Sequence, residues 1–190
     1  MKKILIIGAS GSLASYVIRA LEEQEDVELA LFVRNQSRLS DLVVSKYKVV
    51  EGDAMDYNQV LSAVTGQDLV YVNLAGNLGD MAQNITNAMK EAGVKRIVAI
   101  SSIGIYETPL KSVLKPYRAL ADVIEASGLE YTILRPDWFT SANEVDYQIT
   151  YKGEPEIGSA ISRKSIAAFV AEMVKDPEAY VNENLGISKP

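Results

Sequence analysis

The feature that most constrains this chain is an aliphatic run that ends in a glycine turn and leads into an amphipathic helix. Residues 4–7 are all isoleucine or leucine, which is typical of a strand buried on both faces of a sheet. Gly8 and Gly11 mark the turn, and residues 13–21 carry apolar side chains at helical spacing. This order predicts a strand, a tight turn and a helix within a parallel α/β sheet.

The turn itself has the composition of an anion-binding site. Gly8 permits the tight turn, and Gly11 lacks a Cβ atom, so the backbone can approach an anion closely. The first free N–H groups of the helix and the positive end of its dipole then favour a diphosphate. Ala14 completes the pattern G-x-x-G-x-x-A, a shortened relative of the dinucleotide-binding G-x-G-x-x-G. An ordinary turn between a strand and a helix is the alternative.

The composition excludes several classes of site. The 190 residues include no cysteine and no histidine, so disulfides, thiol catalysis, imidazole bases and the usual zinc ligands are ruled out, and we expect no metal site. The net charge of −6 argues against broad binding to nucleic acids or anionic membranes. Lys2 and Lys3 precede an apolar run that Gly8 interrupts after four residues, so neither a signal peptide nor a membrane span is predicted. The expected location is the cytoplasm.

Arg34 follows directly after the predicted second strand at residues 28–33. In a βαβ unit of this type, the end of the second strand lies beside the adenosine ribose. An acidic residue there selects NAD, whereas an arginine contacts the 2′-phosphate of NADP. Residues 34–38 contain two arginines and no acid. We therefore expect NADP(H) to be preferred over NAD(H), with a solvated cationic loop as the alternative.

Strands and helices alternate along the rest of the chain. Further strands are predicted at residues 46–51, 68–73, 95–100 and 130–135, an edge strand at 185–187, and helices at 79–92, 116–127 and 163–175. This alternation predicts an α/β protein with a single-domain Rossmann fold over residues 1–190, a doubly wound parallel sheet with helices on both faces. Residues 137–160 are the irregular exception, and we expect them on the substrate side.

Polar or small residues follow several of these strands, at the sheet edge where open α/β proteins bind ligands. Asp53 is placed to accept a hydrogen bond from the adenine amine, while Asp56 is more simply the N-cap of the next helix. Ser102 is suited to hold a substrate carbonyl or to cap its local turn. Trp138 and Phe139 either wall the substrate pocket or belong to the core.

Six segments spread over nearly the whole chain carry a family resemblance. They are IIGASGSLASYVIRAL, VRN, EGDAMD, IVAISSIGIY, EASGLEYTILRPDWFT and SRKSIAAFV. Together they resemble the atypical short-chain dehydrogenases/reductases of the NAD(P)H-binding, NmrA-like group, which includes biliverdin reductase B-like proteins. The resemblance implies the following cofactor contacts: Gly8, Ser10, Gly11, Ser12 and Leu13 at the diphosphate, Arg34 at the 2′-phosphate, Asp53 and Ala54 at adenine, Ala75 and Gly76 near the middle of the cofactor, and Ser101 and Ser102 near nicotinamide.

One departure from the larger dehydrogenase families bears on catalysis. Those families use a Tyr-x-x-x-Lys pair, in which the lysine lowers the pKa of the tyrosine. No tyrosine here has a lysine four residues later; Tyr117, for example, is followed at that spacing by Ala121. The remaining catalytic candidates are Ser102, Tyr106 and Asp137.

Two functions are consistent with this pattern. The preferred one is a reductase, a monomer or homodimer, that positions NADPH for hydride transfer to a small flavin-, quinone- or tetrapyrrole-like acceptor. Such acceptors need no strong protein acid, because water delivers the proton. The alternative is a regulatory protein of the NmrA-like kind that senses NADP(H) without turnover.

Overall fold

The computed structural model describes residues 1–190 in full, as ten strands, six α-helices and two short 3₁₀ turns. The strands are β1 (Lys2–Ile7), β2 (Val27–Val33), β3 (Lys48–Glu51), β4 (Leu69–Val72), β5 (Arg96–Ile100), β6 (Glu130–Pro136), β7 (Phe139–Thr140), β8 (Gln148–Tyr151), β9 (Ile161–Ser162) and β10 (Glu183–Ser188). The helices are α1 (Ser12–Glu22), α2 (Asp41–Lys46), α3 (Tyr57–Val64), α4 (Leu78–Ala92), α5 (Lys115–Glu125) and α6 (Arg163–Lys175), and the 3₁₀ turns are Gln36–Arg38 and Ser112–Leu114.

Eight of the strands form one sheet in the order β3-β2-β1-β4-β5-β6-β10-β8. All neighbours are parallel except β8, which runs antiparallel to β10. The strand order changes direction between β1 and β4, and a crevice opens at such a switch point beyond the carboxyl ends of the strands. Ile7, the last residue of β1, is paired with Phe32 of β2 and Val72 of β4, so the three strands that bound this crevice end at the same level.

Helices cover both faces of the sheet because alternate side chains of its buried strands point in opposite directions. Ile4 and Ile6 of β1 belong to a cluster with residues of α1 and α6, such as Phe169. Leu5 and Ile7 belong to a second cluster with residues of α3, α4 and α5, such as Ile85. The doubly wound Rossmann fold predicted from the sequence is therefore confirmed. Every helix is too short or too polar to span a lipid bilayer.

Two details of the predicted fold were wrong. The strand near residue 185 is not at the edge of the sheet, because β10 lies between β6 and β8. The edge strand is β8, at residues 148–151, which the sequence pattern had placed in the irregular segment. The third strand begins at Lys48 instead of residue 46, since α2 precedes it. The hydroxyl of Ser40 caps α2 by accepting a hydrogen bond from the N–H of Val43 at 3.4 Å.

Candidate cofactor and acceptor site

The glycine turn after β1 is shaped by contact with the end of β4. Gly8 adopts a φ of +90°, and a Cβ atom at this position would lie 1.9 Å from the carbonyl oxygen of Asn73. Only glycine fits both the dihedral angle and the space. Gly11 is the N-cap residue of α1 and supplies no side-chain acceptor, so the first N–H groups of this helix are left for another partner. The turn therefore presents backbone donors at the open edge of the sheet.

A cleft of about 620 Å³ lies above this turn. It is lined by all the predicted cofactor residues except Gly76 and Ser101, namely Gly8, Ser10, Gly11, Ser12, Leu13, Arg34, Asp53, Ala54 and Ala75. Gly76 lies on the exposed turn after β4, outside this lining. Ser101 is buried, and its hydroxyl donates a hydrogen bond to the carbonyl oxygen of Tyr117 at 3.0 Å. Ser101 is among the residues that line the neighbouring cavity described below.

Arg34 and Asp53, the two polar residues predicted at the adenosine end, differ in whether their side chains already have a partner within the protein. Arg34 is exposed at the cleft and takes part in none of the six ion pairs of the structure. Asp53 is partly committed to its own turn, since its carboxylate accepts a hydrogen bond from the N–H of Met55 at 2.9 Å. Asp56 is the N-cap of α3, as predicted, and accepts from the N–H of Gln59 at 3.0 Å. An uncommitted guanidinium is well suited to a phosphate.

A second cavity of about 690 Å³ adjoins the cleft, and four residues line both: Asn73, Leu74, Tyr117 and Phe139. Ser102 and Asp137 line only the second cavity. The hydroxyl of Ser102 donates to the carbonyl oxygen of Ile103 at 3.1 Å, which leaves its oxygen free to accept a further hydrogen bond. The beginning of the irregular segment, from Asp137 to Phe139, forms part of the wall.

Tyr106, the remaining catalytic candidate, lies outside both cavities. Its hydroxyl accepts a hydrogen bond from the side-chain amide of Asn184 at 2.8 Å and lies 3.5 Å from the carboxylate of Glu125. Burial raises the pKa of Tyr106 above its ordinary value, and the charge of Glu125 raises it further. A tyrosine held in its protonated form away from the cleft is unsuited to proton transfer there.

The sequence analysis did not assign a role to Tyr117, which lines the cleft, or to Arg163, which contacts a residue of its lining. Tyr117 is half-buried and lines both cavities, whereas the sequence analysis named it only as a tyrosine without a lysine four residues later. Arg163, at the start of α6, donates to the hydroxyl of Ser12 at 3.2 Å and to that of Ser141 at 3.3 Å. Its guanidinium also lies 5.4 Å from the ring centre of Phe139. No local pattern signals these contacts, because they depend on α6 packing beside α1.

Besides the pairing of β8 with β10, a buried ion pair connects the irregular segment to the end of β6. Glu156 forms an ion pair with Arg135, whose side chain is almost fully buried at the end of β6, and it accepts a hydrogen bond from the N–H of Gly104 at 2.8 Å. Gly104 follows β5, and both Gly104 and Gly158 line the second cavity. Glu156 thus joins three parts of the chain that form the wall of this cavity.

We expect Glu156→Gln to lower the free energy of unfolding by about 1–3 kcal/mol, because Gln keeps the bond from Gly104 but leaves the buried Arg135 without a charged partner. Glu154→Gln is a matched control in the same segment, since the exposed Glu154 accepts only from the N–H of Tyr151, at 2.7 Å. Its effect should stay below about 0.5 kcal/mol. Urea unfolding of both variants measures the difference, and equal losses would show that the ion pair contributes nothing.

The comparisons with known proteins identify the family. The family described as NAD(P)H-binding matches residues 8–177. The chain belongs to this NAD(P)H-binding family. This match confirms the resemblance to an NAD(P)H-binding family that was noted in the sequence. The matched range begins at Gly8, in the glycine turn.

Individual proteins are similar to this NAD(P)H-binding chain in sequence or in structure. It is 29% identical over 188 residues to quinone oxidoreductase 2 of Escherichia coli, a match that covers 91% of the chain but only 64% of the relative. The structure of a Rossmann-fold NAD(P)-binding family protein from Shigella flexneri has 40% identity and a TM-score of 0.91, with 100% of this chain and 94% of that one covered. A short-chain dehydrogenase/reductase from Veillonella parvula in complex with NADP has 22% identity and a TM-score of 0.90, covering 100% and 95%, and shows the fold alone.

Proposed function

We propose that this chain is a reductase that transfers hydride from NADPH to a flavin-, quinone- or tetrapyrrole-like acceptor. The observation that carries the proposal is the pair of adjoining cavities, which share Asn73, Leu74, Tyr117 and Phe139. One cavity has the backbone donors and the free arginine of a nucleotide site, and the other is large enough for a second ring system. Family membership and the likeness to a quinone oxidoreductase support the assignment.

The residues of the first cleft fit the parts of the cofactor in order. The N–H groups after Gly11 bind the diphosphate, and Arg34 pairs with the 2′-phosphate. Asp53 and Ala54 border the adenine ring. The preference for NADP(H) over NAD(H) rests on the position of Arg34 at the cleft and on its lack of an ion-pair partner.

The chain contributes to the reaction mainly by binding and orienting its ligands. NADPH supplies the hydride when it is bound. The shared wall formed by Tyr117 and Phe139 keeps the two ligands adjacent, and the free lone pair of Ser102 orients a polar edge of the acceptor. A quinone or flavin takes up hydride without a strong protein acid, since water at the open second cavity provides the proton. Because NADPH supplies the hydride and water supplies the proton, no Tyr-x-x-x-Lys pair is needed.

A second candidate function is binding of NADP(H) without turnover, as in a sensor. It is favoured by one observation: Tyr117, the tyrosine at the boundary of the two cavities, is followed at the critical spacing by Ala121. In this case the cofactor site is the same, and the second cavity has no reductive role.

Loss of NADPH absorbance in the presence of FMN, menadione or biliverdin separates the two functions. The reductase proposal predicts saturable oxidation with at least one acceptor, above the rate of a protein-free control. Binding of NADPH without oxidation by any of the three would instead support the sensor and reject the reductase.

A further inference from the structure

We infer that Trp138 recognises the acceptor by stacking its indole against a flat, conjugated ring at the mouth of the second cavity. The inference rests on the proposed function, because it names the chemistry by which that cavity selects its ligand. It goes further in assigning recognition to one side chain that the hydride-transfer scheme does not use.

The first observation is the exposure of this side chain. Trp138 is the only tryptophan of the chain, and it is 83% exposed while lining the second cavity. Asp137 and Phe139 on either side line the same cavity and are half-buried. Tryptophan is highly buried on average, so an indole left in water at a cavity has a large flat face available for contact with a ligand.

The backbone around Trp138 is held in place even though the indole is free. Its N–H donates to the carboxylate of Asp137 at 2.8 Å, and its carbonyl oxygen accepts from the N–H of Ile161 at 2.9 Å. Phe139, the next residue, is paired with Ile161 between β7 and β9. Little backbone freedom therefore has to be lost when a ring stacks on the indole, which favours binding.

A second exposed apolar side chain lines the same cavity. Val113, in the 3₁₀ turn before α5, is 72% exposed and lines the same cavity. The polar members of the lining include Ser102 and Asp137, together with Lys111, which pairs with Glu107 at 3.7 Å. Exposed apolar side chains from two separate segments, with polar groups nearby, suit a planar ring with polar edges such as a quinone or a flavin.

The single tryptophan makes binding measurable without turnover. With the protein saturated by NADP⁺, which has no hydride to give, we expect FMN or menadione to quench the tryptophan fluorescence saturably. N-acetyltryptophanamide titrated in parallel corrects for absorption by the ligand and for collisional quenching. Saturable quenching supports the inference. A protein signal that follows the free indole with both ligands overturns it.

Steady-state kinetics of Trp138 variants are the second experiment, after the fluorescence titration. Trp138→Ala should raise the KM for the acceptor about tenfold, as expected for the loss of one stacked ring, with the kcat and the Kd for NADPH within twofold of wild type. Trp138→Phe keeps a flat ring and should restore most of the affinity. Leu42→Ala is the control, because Leu42 is 81% exposed and lines neither cavity.

The fluorescence titration and the variant kinetics together distinguish failure of the inference from failure of the proposed function. Unchanged KM in Trp138→Ala, with normal NADPH oxidation, would overturn the role of Trp138 and leave the reductase intact. Saturable quenching without NADPH oxidation by the same ligand would support recognition by Trp138 and reject hydride transfer to that ligand.

Discussion

Replacement of Gly8 by alanine is expected to abolish measurable NADPH binding and to lower the free energy of unfolding by about 3 kcal/mol or more. Alanine is strained at a φ of +90°, and its Cβ atom would lie 1.9 Å from the carbonyl oxygen of Asn73. That oxygen belongs to the backbone at the end of β4, so it cannot move aside without displacing the strand. Any displacement also opens the turn that presents the N–H donors of α1.

Gly66→Ala is the matched control for this prediction. Gly66 has a φ of +81°, close to that of Gly8, but a Cβ atom there meets nothing within 4 Å. Its substitution should cost only about 1 kcal/mol of conformational strain and should leave NADPH binding unchanged. Urea unfolding and NADPH titration of the two variants separate strain from steric conflict. If Gly8→Ala binds NADPH normally and is no less stable than Gly66→Ala, the glycine turn does not shape the site as described.

Arg34→Ala is the second variant with a large expected effect. We expect NADPH binding to weaken by about 1.5–3 kcal/mol, or roughly 10- to 150-fold, through loss of a charge-assisted contact to the 2′-phosphate. NADH lacks this phosphate, so its Kd should change by less than about threefold. Titration of the variant with each nucleotide gives the comparison directly.

Arg19→Ala controls for the general loss of one positive charge. Arg19 is exposed in the last turn of α1 and lines neither cavity. Its substitution should leave the Kd values for both nucleotides within about twofold, since exposed charges at a distance are largely screened by salt. Equal weakening of NADPH and NADH by Arg34→Ala would contradict the assignment of Arg34 to the 2′-phosphate.

Much of the fold and of the first cleft could be predicted because their signals are local. The aliphatic run before Gly8 and the helical spacing after Gly11 identify β1, the turn and α1 without any knowledge of their partners. Parallel strands end at one edge of the sheet, so Arg34, Asp53 and Ala75, each just beyond a strand, were expected at the same cleft. The structure brings these residues together.

The features that escaped prediction depend on contacts between distant segments. The position of β10 inside the sheet follows from its pairing with β8, a strand of only four residues within the segment predicted to be irregular. The approach of Arg163 to Ser12 follows from the packing of α6 beside α1. The exclusion of Tyr106 from the cleft follows from its contacts with Glu125 and Asn184. None of these contacts can be inferred from the spacing of residues within one segment of the sequence.

The central claim is that the cleft above the first glycine turn binds NADPH, and titration calorimetry of the purified chain tests it most directly. The account predicts saturable binding of one NADPH per chain, tighter than that of NADH. Absence of any binding heat for both nucleotides up to millimolar concentration, with the protein shown to be folded, would contradict it.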